Sequence, residues 1–73
     1  MNRTTREVRE MIRDGFFVSP RDARDVRLGL MARGVVTGLR RSVRDSLHYL
    51  ETATGELRAV EDGGPKRYVV NKS

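Results

Sequence analysis

The chain has 73 residues and a mass of 8.3 kDa, enough for one domain whose folding removes only about 60% of the unfolded chain's surface from water. Fifteen Lys and Arg against ten Asp and Glu leave a formal charge of +5, and thirteen of the fifteen cations are Arg. With no Cys and one His, the composition excludes a disulfide framework, a thiol nucleophile, Cys-ligated zinc and multi-His metal sites.

Thr4-Thr5-Arg6-Glu7 has the spacing of a capping box, a hydroxyl at the N-cap and a carboxylate three residues on. Val8, Met11 and Ile12 then share one stripe at helical spacing, and Gly15 supplies a stop. These features predict a first helix over about 5–14. Phe16-Phe17-Val18 is too short and too apolar for a helix and reads as a buried extended segment, the short strand of the chain.

Ser19-Pro20-Arg21-Asp22 reads as a helix start: Ser can cap, Pro fits the first helical position, and Asp favours the positive helix end. It predicts a second helix over about 20–33, with Ala23, Val26 and Leu30 inward and Gly34 as the stop. Gly29 interrupts this helix, and Leu28 lies roughly 160° from the centre of the apolar stripe. Either the helix ends early or Leu28 touches something outside the chain. Leu28 with Met31, and Gly29 permitting close backbone approach, make a candidate self-complementary patch for a homodimer.

After Val35-Val36-Thr37-Gly38, the residues Leu39, Val43, Leu47 and Leu50 recur on one face about 80° wide, predicting a third helix over about 38–52. Its other side carries Arg41, Arg44, Asp45 and His48, with Arg40 on the flank. Two strands over about 56–61 and 66–71 are expected around the turn Asp62-Gly63-Gly64-Pro65. The predicted order is helix, short strand, helix, helix, strand, strand, an α+β fold with a C-terminal two-stranded hairpin.

From Ser19 to Val70 the chain resembles the winged helix-turn-helix domains of small bacterial and phage regulators. The resemblance is carried by Ser42-Val43-Arg44-Asp45-Ser46-Leu47-His48-Tyr49-Leu50-Glu51 and by the Gly-tipped basic hairpin from Leu57 to Val70. One departure is the connection Arg33-Gly34-Val35-Val36-Thr37-Gly38, longer and more apolar than the family's usual tight turn. The resemblance implies duplex DNA as partner, with the third helix in the major groove and the hairpin, or wing, on the backbone.

The residue chemistry points the same way. Arg can take guanine O6 and N7 with two parallel donors, which suits Arg41 and Arg44, while Arg40 is placed for phosphate. Lys66 and Arg67 stand beside Gly63 and Gly64, where a slim backbone can approach the sugar-phosphate chain. Asp45, Glu61 and Asp62 oppose nonspecific phosphate binding, although Asp45 could accept from cytosine N4 or orient Arg41. No phosphate-binding glycine motif occurs, no cofactor is implied, and an enzyme is not expected.

The expected function is therefore transcriptional regulation through duplex DNA. The second reading is a protein-interaction adaptor, or a phage-encoded inhibitor acting on a host protein. Longer apolar runs than Leu28 to Ala32 are missing and the start Met1-Asn2-Arg3-Thr4 is polar. No membrane association is expected, and the cytoplasm, including the nucleoid or a phage-infected host cell, is the expected location.

Overall fold

A computed structural model describes residues 3–35 and 39–72. It is an α+β arrangement of three helices and a three-stranded antiparallel sheet. The helices are α1 (Arg3–Arg13), α2 (Ala23–Ala32) and α3 (Leu39–Thr52), and the strands are β1 (Arg21–Asp22), β2 (Leu57–Val60) and β3 (Arg67–Val70). The sheet order is β1-β3-β2. Arg21 lies opposite Tyr68 and Asp22 opposite Arg67, while β2 and β3 form a hairpin in which Leu57 faces Val70 and Val60 faces Arg67.

The core joins the apolar stripes predicted from spacing: Val8 and Met11 of α1, Val26 and Leu30 of α2, and Val43, Leu47 and Leu50 of α3, closed by Phe17, Val35, Leu57 and Tyr68. A polar contact lies within it. The hydroxyls of Thr5 and Ser46 are buried and 2.8 Å apart, one donating a hydrogen bond to the other where α1 crosses α3.

Four expectations change. The capping box at Thr4 does not start α1, because the helix already begins at Arg3 and buries both Thr4 and Thr5. Glu7 turns instead to Arg33, 3.3 Å away. Phe16–Val18 is a single 3-10 turn rather than a strand, entered through Gly15 at φ +88°. Only Phe17 is driven fully inward, and Val18 stays 67% exposed.

The short strand is β1, and it makes the sheet three-stranded instead of a two-stranded hairpin. For the same reason α2 does not start at Ser19-Pro20. The residue before a proline is pushed towards extended backbone, Ser19 is extended at φ −104°, ψ 151°, and the chain runs on into β1. The helix is capped by Asp22: its carboxylate accepts from the Asp25 amide at 2.8 Å, and its own amide donates to the Asp25 carboxylate at 3.2 Å. This reciprocal box satisfies two backbone donors at once.

The predicted stop of α2 is present in full. Gly34 takes φ +85°, its amide donates to Met31 O, and the Val35 amide donates to Leu30 O, both at 3.0 Å. This pair of bonds is the Schellman arrangement, with Val35 and Leu30 in the core as its apolar clasp. The link residues Val36, Thr37 and Gly38 lie outside the described residues, as does the side chain of Leu39.

Candidate functional site

The exposed side of α3 and the hairpin enclose an open groove of about 1050 Å³. Six residues singled out from sequence line it: Arg40, Arg41, Arg44, Asp45 and His48 from α3, and Lys66 from the hairpin. α3 brings its five together because burying Val43, Leu47 and Leu50 turns the opposite face to solvent. The groove also holds Asp22, Ala23 and Arg24 from the start of α2, Leu47 at its floor, and Pro65 and Tyr68 from the hairpin. Five cationic side chains thus stand against two carboxylates.

Arg24 and Asp22 are the residues that sequence reasoning missed. With the helix start placed at Pro20, Arg24 falls inside α2 as one solvated charge among several. The signal that locates it is Asp22-Ala23-Arg24-Asp25, whose spacing moves the cap from Ser19 to Asp22 and sets Arg24 in the first turn.

The basic residues differ in how they are paired. Away from the groove, Arg9 bonds Glu56 at 2.8 Å, Arg13 bonds Glu10 at 3.1 Å, and Arg33 bonds Asp14 at 2.9 Å and Glu7 at 3.3 Å. Hydrogen bonds from Arg33 to Asp14 and Glu7 hold its guanidinium above its usual pKa. Arg21 donates to Phe16 O at 2.9 Å and lies over the Phe16 ring.

In the groove, Arg24, Arg40 and Arg44 form no ion pair among the described residues, and the Arg41 side chain is 95% exposed with Asp45 only at 4.0 Å. Neighbouring Arg27 shares a smaller recess with Arg40 and Arg44. Such a cluster repels itself and is stabilised by anything anionic that enters.

Two predicted contact residues on the hairpin are already engaged. Lys66 pairs with Glu51 at 3.2 Å and sits over the Tyr68 ring at 5.6 Å. The Glu51 contact and the neighbouring Tyr68 hold its ammonium above the usual range. Lys66 therefore both lines the groove and ties the hairpin to the end of α3. Arg67 turns to Asp62 across the hairpin loop and does not line the groove. At the loop, Gly63 takes φ +92°, a conformation that side chains other than Gly rarely adopt; Gly64 does not need one.

On the outer side of α2, Leu28 is 53% and Met31 48% exposed, as their spacing predicts. The expected role of Gly29 beside them changes. A Cβ at Gly29 would stand 2.6 Å from Met11 Cε and 3.3 Å from the Phe16 ring, so the close approach it permits is to α1 of the same chain. No helix among the described residues is long and apolar enough to cross a membrane. Comparison with protein-family models, with curated proteins and with solved structures finds no match to this chain.

Proposed function

We propose that the chain is a winged helix-turn-helix domain that binds duplex DNA and regulates transcription in a bacterium or phage, with α3 in the major groove and the β2–β3 hairpin along the backbone. The observation that carries this reading is the convergence of four arginines on one groove. Away from it, Arg9, Arg13 and Arg33 are paired with carboxylates and Arg21 is held on the backbone; in the groove, Arg24, Arg40 and Arg44, with no ion pair among the described residues, converge with Arg41, whose nearest carboxylate, Asp45, is at 4.0 Å. A major groove about 12 Å wide admits one helix, and a helix of 14 residues reaches about 21 Å along it. Arg24 and Arg40 then stand towards phosphates, and Arg41 and Arg44 towards base edges.

The test is duplex binding by Arg41→Ala and Arg44→Ala as a function of salt. An Arg that reads a base should lose about 1–3 kcal/mol and relax preference at one position; a phosphate contact should lower the salt slope by about one unit. Both side chains are exposed, so circular dichroism should stay native. Unchanged affinity in both variants removes α3 as the reading element.

A second reading, a protein-binding adaptor, draws on the exposed Leu28 and Met31. It predicts association with a partner protein that barely responds to salt, where electrostatic DNA binding weakens steeply.

A further inference from the structure

Of the charged side chains lining the groove, Asp45 is the one whose position neither helix stability nor phosphate attraction explains. It sits within α3, beyond the first turn where the helix dipole would favour an acid, and aspartate is a poor helix former there. The other acid of the groove, Asp22, is spent on the α2 cap. Asp45 makes no hydrogen bond among the described residues and is 71% exposed. Its nearest cation, Arg41, stands at 4.0 Å, in the less favourable order for a helical pair, with the cation N-terminal to the acid. It places an acceptor-only carboxylate among Arg40, Arg41 and Arg44, where it weakens attraction for any polyanion.

We infer that Asp45 is a specificity-determining residue that accepts from the N4 amino group of cytosine, so that α3 selects a C·G pair at one fixed position. This rests on the DNA reading above. In the major groove, guanine offers Arg two acceptors, and cytosine offers a donor that Arg cannot use but a carboxylate can. Adenine also carries an amino donor, but beside it lies the N7 acceptor, which repels a carboxylate. Arg41 and Asp45 are one turn apart on the same helix face, with Cβ atoms about 5–6 Å apart. That spacing lets Arg41 meet a guanine and Asp45 a cytosine of the same or the adjoining pair. Away from such a site the carboxylate faces phosphate or base acceptors and penalises binding.

The experiment is selection of bound duplexes from a randomised pool by the full chain and by Asp45→Ala, followed by affinity measurements on the selected sequence and its single-pair changes. The parent should enrich a C·G pair at one position and discriminate against its replacements by about tenfold. Asp45→Ala should lose that discrimination at that position alone, while binding random duplex severalfold more tightly. An Asp45→Ala variant that keeps every base preference and merely binds tighter overturns the inference and leaves DNA binding intact. Loss of preference at an A·T pair instead overturns the cytosine assignment. A parent chain that binds no duplex overturns the DNA reading and this inference together.

Discussion

Asp22 connects the stability of the domain to the charge of the groove, and two substitutions separate the roles. Its carboxylate caps α2, a helix of ten residues, too short to persist alone in water. Asp22→Ala removes the acceptor for the Asp25 amide, and losing such a cap costs about 1 kcal/mol. For a domain of this size that lowers Tm by about 4–8 °C. Asp22→Asn keeps an acceptor in the same place and should cost only a few tenths of a kcal/mol, mainly through the lost charge at the helix start.

In the groove the two variants should behave alike, because each removes one of two negative charges. A unit charge about 7 Å from a phosphate in water is worth about 0.6 kcal/mol, so binding of random-sequence duplex at low salt should tighten by about threefold. Thermal melting and fluorescence anisotropy measure the two effects. The reasoning fails if Asn melts as low as Ala, or if a folded variant binds duplex no better than the parent.

The remaining predictions concern packing and pH. Gly29→Ala gains about 1 kcal/mol of helix propensity but forces Cβ against buried Met11 and the Phe16 ring, at a cost of about 1–3 kcal/mol. The expected net loss of about 1 kcal/mol in denaturant unfolding should shrink towards zero in a Met11→Leu background, which lacks Cε; stabilisation by Gly29→Ala in the parent would refute the contact. For Glu56, partial burial pushes the carboxyl up, but hydrogen bonding from Arg9 and with Thr54 outweighs it and holds the carboxyl below its ordinary value of 4.5. A lowered folded-state pKa stabilises fully above the unfolded value, and that contribution fades as pH falls below about 4.5. Glu56→Gln should therefore flatten the acid limb of the Tm–pH profile below pH 4.5 and leave an unchanged acid limb only if the Arg9–Glu56 contact is absent in solution.

What could be read from sequence follows the range of the interactions that decide it. α3 was legible because Val43, Leu47 and Leu50 repeat at one helical period, and the outward Arg41, Arg44, Asp45 and His48 are the complement of that stripe. Gly34 and the loop at Gly63 were legible because both depend on local backbone conformation. The start of α2 was not, since Ser19-Pro20 and Asp22 are both competent start signals. The choice was made by β1 pairing with β3 more than forty residues away in sequence, a contact with no local mark. That displacement also concealed Arg24. The pairing of Arg67 was hidden for a similar reason: a basic residue on a hairpin reads as available until its cross-loop partner Asp62 is known.

The strand at the centre of the sheet, β3, follows every other element in sequence. During vectorial synthesis the three helices therefore emerge before any of the sheet can pair, and neither β1 nor β2 has a neighbour until Arg67–Val70 is available. The arrival of this one segment completes two strand pairings, brings Tyr68 to the core and sets Lys66 against Glu51. The hairpin wall of the cationic groove thus depends on the last element of the chain order, and a chain without Arg67–Val70 would present the arginines of α3 without that wall. Closing a β1–β3 contact of such sequence separation is slow compared with helix formation, so Asp22, at the end of β1, and Arg24, which follows it into the groove, are joined to the hairpin by the sheet's longest-range pairing.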